Sequence, residues 1–373
     1  MFRPQIIQIK KDLKKKIVLL VGPRQSGKTY LAKEIAKDYP NSLYLNFDNV
    51  QDMQIIKNQN WIDKTDLIIF DELHKMDNWK NYLKGVFDTK LPHQSILVTG
   101  SARLDIFDHV GDSLAGRYFR HRLLPLSLSE VLQATEKYTV EHFLERGGFP
   151  EPFLTESKQD ADRWRQQYIS SLLSTDIFEY DTLHNLKAMR LVFDLLRTRV
   201  GSSISYQSIA RDVGTSSATI KKYIEILEAV YIIFRITPYS KNIARSLLKE
   251  PKIYFYDCSL VEGDAGARLE NFVAVSLLKD IYAQTDQLGI ENKLYYLRTK
   301  DGLEVDFVIA NDKAVKCAIE VKTSDSVPSK ALIGVHKKYA MPALQIVRYL
   351  KNEYTTQSVA VLKADKYLQE LSL

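Results

Sequence analysis

The chain has 373 residues, 45% of them hydrophobic, and a formal charge of +6 at neutral pH. That much apolar material suits two or three separate cores and argues against a single domain, while so mild a basic excess admits a polyanionic partner without describing a dedicated nucleic-acid coat. Cys258 and Cys317 form no metal or redox spacing, the seven histidines pair into no ligand set, and no apolar run reaches the ~18 residues of a membrane span. The expectation is a cytoplasmic chain without a membrane partner.

The first predicted element is an apolar strand over 17–21, IVLLV, running directly into Gly22-Pro23-Arg24-Gln25-Ser26-Gly27-Lys28-Thr29. This is a complete G-x-x-x-x-G-K-[ST] pattern between a strand and a helix expected over 30–38, which is the context a phosphate-binding loop needs. The glycines let successive backbone N–H groups point at phosphate oxygens, and the helix offers its positive end to the same anion. Lys28 would reach the β and γ phosphates of ATP, and the Thr29 hydroxyl would hold magnesium.

A strand over 42–47 follows, then a third over 67–71 that ends in Asp71 and Glu72. Four apolar residues delivering two acids to a strand end suit a magnesium-supporting Asp71 and a general base, Glu72, acting on water. Asp-Glu would equally cap a helix predicted over 73–85. A fourth strand over 95–99 leads to Ser101, placed to sense the γ-phosphate. A helix over 104–115 then ends at Arg117, ahead of a fifth strand over 118–124. Where a ring-forming ATPase presents such an arginine to its neighbour's nucleotide, the gain is about 10³ to 10⁵ in rate; a cation also ends a helix favourably. Together these elements predict a three-layer α/β core with a parallel sheet over 1–130.

From 131 to 199 the pattern turns helical, as a lid or connector. Residues 200–247 read as a winged helix: a short helix capped by Ser205, a turn at Gly214, and a longer helix whose Ile220, Ile224 and Leu227 fall at core spacing. Ser217, Thr219, Lys221 and Lys222 are left on or near its outer face, suited to DNA phosphates, and a wing strand is expected over 231–236. Packing against the nucleotide domain is the equally weighted alternative. In the last segment, 248–373, a helix carries Glu270, one strand carries Asp306, and the next carries Glu320 and Lys322 on a single face. Two hard carboxylates with a lysine beside them can hold magnesium and orient water against a phosphodiester; a half-buried ion pair is the plainer account.

With GPRQSGKT, LIIFDE, LVTGSAR, SLAGR, LPLSLSE and the GGFPEP run at 147–152, the chain resembles, over nearly its whole length, AAA+ ATPases of the bacterial and archaeal AAA_14 plus DUF4143 type. That resemblance implies an AAA+ P-loop ATPase core, a winged helix and a restriction-endonuclease-like C-terminal domain. The Glu270, Asp306, Glu320 and Lys322 arrangement is similar to the PD-(D/E)xK nuclease motif. The expected activity is magnesium-dependent ATP hydrolysis in a homo-oligomer such as a ring, coupled to a DNA-binding winged helix and a nuclease-like domain. An ATP-gated DNase and a non-cleaving nucleotide-dependent DNA switch are the alternatives.

Overall fold

The computed structural model describes residues 3–100, 114–135, 137–173, 185–240, 250–299, 302–325 and 327–371. The chain forms two compact units, Met1–Leu124 with Asp286–Leu288, and Pro125–Thr285 with Gly289–Leu373.

The first unit is built on five parallel strands, β1 (Ile17–Val21), β2 (Ser42–Asn46), β3 (Leu67–Asp71), β4 (Ser95–Thr99) and β5 (Tyr118–Arg122), in the order β2-β3-β4-β1-β5. Strands β1, β3 and β4 are buried at every position. Continuous apolar runs are what a parallel sheet covered on both faces requires. Ile17, Leu19 and Val21 face a cluster with Ile56, Leu83 and Val86, supplied by helices α3 (Val50–Asn58) and α4 (Trp79–Thr89). Val18 and Leu20 face the opposite cluster with Ile9, Leu13, Leu31 and Ile35, from α1 (Gln5–Leu13) and α2 (Lys28–Ala36). The five strands expected from the sequence are present, and α2 begins two residues earlier than expected, at Lys28.

The single helix expected over 73–85 is not formed. Leu73–Lys75 is a 3₁₀ turn, and α4 starts afresh at Trp79 after Asn78 adopts φ 58°. Asparagine tolerates that left-handed conformation better than most residues, and it resets the chain direction. Most of the helix expected over 104–115 lies outside the described residues, as does Ser101.

The second unit opens with helices Leu128–Ala134, Val140–Arg146, Pro150–Leu154, Lys158–Ser171 and Leu186–Arg197. The pair Tyr206–Val213 and Ser217–Ala229 follows, turned by Gly214 at φ 73°. Ser216 caps the second of these through the Thr219 N–H, and Ile220, Ile224 and Leu227 are buried. Ser205 occupies the N-cap of the first without a side-chain hydrogen bond.

The strand expected as a wing over 231–236 is found as β6 (Ile233–Pro238) and has a different role. It pairs antiparallel with β7 (Lys252–Phe255) and parallel with β8 (Lys293–Arg298). With β9 (Glu304–Ala310), β10 (Val315–Lys322), β11 (Ala343–Val347), β12 (Tyr354–Thr356) and β13 (Val359–Lys363) it completes a mixed sheet ordered β12-β13-β11-β10-β9-β8-β6-β7. Its residues explain the outcome: Ile233, Phe234 and Ile236 are all buried, on both faces, and Phe234 stacks on Tyr254 at 5.7 Å. A solvent-facing wing would leave one of those faces wet. The sheet therefore crosses the boundary drawn at 247.

Candidate active site

Strand β1 ends at Val21, whose carbonyl accepts from the Leu123 N–H at 2.8 Å, and the chain then turns sharply at Gly22, φ 144°. A Cβ there would collide with the Leu123 carbonyl oxygen, so the turn admits only glycine. Gln25 (φ 62°) and Gly27 (φ 96°) complete the curl of the loop between Gly22 and the start of α2. The Ser26 side chain is fully buried, and its Oγ has no hydrogen-bond partner among the described residues. An orphaned buried hydroxyl inside a cradle of backbone amides fits a ligand with acceptor oxygens. Lys28 is buried and donates to the carbonyls of Gly22 (2.9 Å) and Pro23 (2.6 Å), so its ammonium sits on the loop itself. From outside the motif, Arg3 donates to the Ser26 carbonyl at 2.8 Å and the Leu124 carbonyl at 3.0 Å, tying loop to strand end.

Strand β4 lies between β1 and β3, with Thr99 in register with both Leu20 and Asp71. Asp71 is buried and its carboxylate accepts from three hydroxyls: Thr29 Oγ1 at 3.0 Å, and two closer donors, Tyr44 and Thr99. Thr29 and Asp71 thus meet as an oxygen-only donor pair of the kind magnesium favours, and they fit that ion. Burial raises the Tyr44 phenol pKa, and the hydrogen bond to Asp71 adds to it, so Tyr44 remains a neutral donor. Tyr44 carries no signal in the sequence, being a hydroxyl on a strand outside any motif, and Thr99, though within LVTGSAR, is not marked there as a partner of Asp71.

Glu72 follows in the left-handed region at φ 56°, its N–H bonded to the Thr99 carbonyl at 3.0 Å. Burial, then the neighbouring Asp71 charge, raises its carboxyl pKa, while Lys28, Lys75 and Arg24 oppose the rise. His74 Nε2, buried, stands 3.5 Å from Glu72 Oε2. Arg117 is not part of this constellation. It pairs with Asp88 at 2.9 Å through Nε, and its carbonyl accepts from the N–H of Ile17, at the other end of β1 from the loop. Four residues of strand separate the two, about 13 Å.

The second acid cluster lies around β7, β9 and β10. Asp306 and Glu320 are on adjacent antiparallel strands, as expected, with Asp306 Oδ2 accepting from the Val321 N–H at 2.9 Å. Lys322 Nζ is 2.9 Å from Glu320 Oε1, whereas Glu320 Oε2 is buried without a hydrogen-bond partner among the described residues. Glu270, on the helix Ala265–Leu288, accepts from the Tyr254 hydroxyl at 2.7 Å. A Cβ on Gly201 (φ 74°) would come within 2.7 Å of its Oε1, so glycine there makes room for the carboxylate. Burial raises the carboxyl pKa of Glu270, Asp306 and Glu320, and the charge of Asp306 raises both glutamates further.

The group that sequence reasoning missed is Lys252. Its side chain is almost fully buried, 2.7 Å from Glu304 Oε1 and 3.8 Å from Glu270 Oε1. No three His, Cys, Asp or Glu side chains among the described residues converge to hold a metal ion. Lys322 pairs with Glu320, and Lys252 with Glu304 and Glu270, so two ammonium groups stand among four carboxylates.

On the helix Ser217–Ala229, Ser217, Lys221 and Lys222 are exposed, Lys221 lying 3.9 Å from Glu225. The Thr219 hydroxyl is 2.8 Å from Ser216 Oγ and belongs to the cap. No helix among the described residues is long and apolar enough to cross a membrane.

Compared with known protein families, residues 14–132 match an AAA domain (AAA_14) and residues 265–367 match DUF4143, a domain of unknown function. Residues 137–268, between them, match a second domain of unknown function, DUF8612. The uncharacterized protein Rv2008c of Mycobacterium tuberculosis is 26% identical over 302 residues, 79% of this chain and 67% of its own. The uncharacterized protein MJ1544 of Methanocaldococcus jannaschii is 26% identical over 329 residues, 79% of this chain and 72% of its own. Among solved structures, the Walker-type ATPase PABY2304 of Pyrococcus abyssi superposes with TM-score 0.43 at 14% identity, over 69% of this chain and 93% of that one. The chain thus matches the AAA_14 and DUF4143 pair that its motifs resemble, in that order, with the five-stranded parallel sheet lying in the AAA-matching segment.

Proposed function

We propose that the chain is a magnesium-dependent ATP hydrolase whose nucleotide state is coupled to nucleic-acid contact by the second unit. The observation that carries this reading is the 3.0 Å hydrogen bond from Thr29 to Asp71, 42 positions apart, beside a loop whose Ser26 hydroxyl is buried without a hydrogen-bond partner among the described residues. In this reading the amides of Gly22, Arg24, Gln25, Ser26 and Gly27 wrap the phosphates around the turn that Pro23 stiffens, and Lys28 leaves its loop carbonyls to pair with the β and γ oxygens. Thr29 and Asp71 would hold magnesium, whose chemistry there would be to offset charge on the transferred group. Glu72, its carboxyl raised by burial, takes the proton of the attacking water, and Ser101 senses the γ-phosphate. Arg117, distant from its own loop and exposed, acts in a neighbouring subunit of a homo-oligomer.

Glu72→Gln is expected to retain ATP while releasing no phosphate, and Lys28→Ala to lose both. Unchanged turnover in Glu72→Gln would remove it as the base, and a wild type without affinity for adenine nucleotides would end the ATPase reading. The exposed Lys221 and Lys222 support contact with DNA phosphates; each removed should lower the salt slope of DNA binding by about one. Metal-dependent cutting by wild type, lost in Asp306→Ala, would favour the ATP-gated DNase, and its absence the non-cleaving switch.

A further inference from the structure

A cavity of about 460 Å³ lies in the first unit, between the end of α1, the turn after α2 and the loop that leads into β4. It is remote from the phosphate-binding loop, because Ser95 opens β4 at the cavity whereas Thr99 closes the strand at Asp71, four residues or about 13 Å away. The floor is polar. Gln94 and Ser95 are only 4% and 7% exposed, yet each side chain keeps a donor that is unspent among the described residues. The Leu91 N–H, 3.0 Å from Gln94 Oε1, fixes the amide so that its oxygen is used and its nitrogen is left over. The Ser95 backbone N–H bonds to the Asp66 carbonyl at 2.8 Å, and its hydroxyl remains without a partner among the described residues. Buried donors in surplus beside a cavity suit a ligand rich in acceptor oxygens.

The rim is cationic. Lys10 and Lys14 are four positions apart at the end of α1, so both side chains reach the same cavity. Lys10 pairs with Asp38, which leaves the exposed Lys14, without an ionic partner among the described residues, as the surplus charge. Tyr39 and Pro92 add a less polar wall. The volume falls within the about 300–1,000 Å³ of small-molecule sites and exceeds what a single ion needs. We propose that this cavity is a second ligand site that takes a small phosphate monoester, with Lys14, Gln94 and Ser95 donating to the phosphate oxygens and the organic part against Tyr39 and Pro92. Asp38, which would repel an anion, is already matched by Lys10. The site stands apart from the ATPase reading, because it is tested without nucleotide and with the loop lysine removed.

The test titrates ribose 5-phosphate into the full chain carrying Lys28→Ala, read by ³¹P NMR line width and by thermal midpoint, with ribose and succinate as controls at matched ionic strength. Saturable binding is expected for the phosphate alone. Lys14→Met should weaken it about tenfold, the usual worth of a charge-assisted hydrogen bond, whereas Lys15→Met, which removes the same charge from a residue outside the cavity, should change it by less than about twofold. Gln94→Glu keeps the acceptor for the Leu91 N–H but replaces the donor with a negative charge, and should abolish binding. Absence of saturable binding, a preference for succinate, or binding unchanged in Lys14→Met overturns the proposal. Equal losses in Lys14→Met and Lys15→Met overturn it too, since they would mean attraction to a basic surface rather than a site. Should Gln94→Glu fail to fold, the two exposed lysines still decide the outcome.

Discussion

Tyr44→Phe removes one hydroxyl from the three that fix Asp71 and leaves the ring in place. The phenol is buried enough to be held neutral, and its acceptor is a carboxylate, so the bond belongs to the class in which one partner is charged and the net worth is about 1.5–3 kcal/mol. Thr29 and Thr99 keep two donors on the same carboxylate, which places the expected loss at the lower end, about 1.5 kcal/mol, or roughly tenfold. Because Tyr44 touches Asp71 Oδ2, the oxygen that Thr29 also reaches, the loss should appear in magnesium dependence rather than in nucleotide capture. The assay is phosphate release at saturating ATP over a magnesium titration, beside fluorescent-nucleotide binding without magnesium. The magnesium midpoint should rise about tenfold while metal-free nucleotide affinity stays put. An unchanged midpoint and unchanged turnover would mean that Tyr44 does not position Asp71.

Three further outcomes follow from particular contacts. Gly22→Ala forces a Cβ against the Leu123 carbonyl in a backbone region closed to alanine, and should abolish nucleotide binding while circular dichroism shows the second unit still folded. Lys279→Met leaves the wholly buried Glu130 without its cation and should lower the stability of the second unit by about 3–5 kcal/mol in urea; restoring part of that in Lys279→Met/Glu130→Gln would identify the orphaned charge as the cause. Burial raises the Asp257 carboxyl pKa, so ionising it penalises the folded state. The penalty is absent below the unfolded carboxylate value, grows as pH rises toward the folded one, and is complete above it. The thermal midpoint of Asp257→Asn should therefore gain on wild type as pH rises from about 4 toward neutrality, and a gap that narrows over that range would contradict the assignment.

Much of the first unit is legible because its signals are local. A buried parallel strand is largely apolar, as 17–21, 67–70 and 96–98 are; the loop must have glycine where the turn demands it, and Gly22 is there. What escapes are residues whose meaning depends on a distant partner. Tyr44 reads as an ordinary strand tyrosine until β2 pairs with β3 and brings it to Asp71. Arg3 reads as a terminal cation until its guanidinium is seen under Ser26. Glu130, visible only within LPLSLSE, is the acid of a capping box with Ser127 and the partner of Lys279, 149 positions away. The β6 segment reads as a wing because helix, turn, helix and strand follow in that order, whereas burial on both faces is visible only once β7 and β8 flank it.

The two acid sites show why spacing alone could not separate a metal site from an ion-paired one. Both place carboxylates on or just beyond buried strands, with a lysine within reach. Around Asp71 the donors to the carboxylate are hydroxyls, which orient the group but leave its negative charge uncompensated for a cation. Around Glu270 and Asp306 the nearest answering group is the Lys252 ammonium, which offsets part of the charge of the four carboxylates. Asp71 closes a continuous apolar strand and Asp306 sits within an alternating one; what further separates them is a tyrosine from β2 and a lysine from β7, neither in any motif. A neutral residue at 252 should strip buried carboxylates of their cation and destabilise the second unit, whereas phenylalanine at 44 should only loosen the first site.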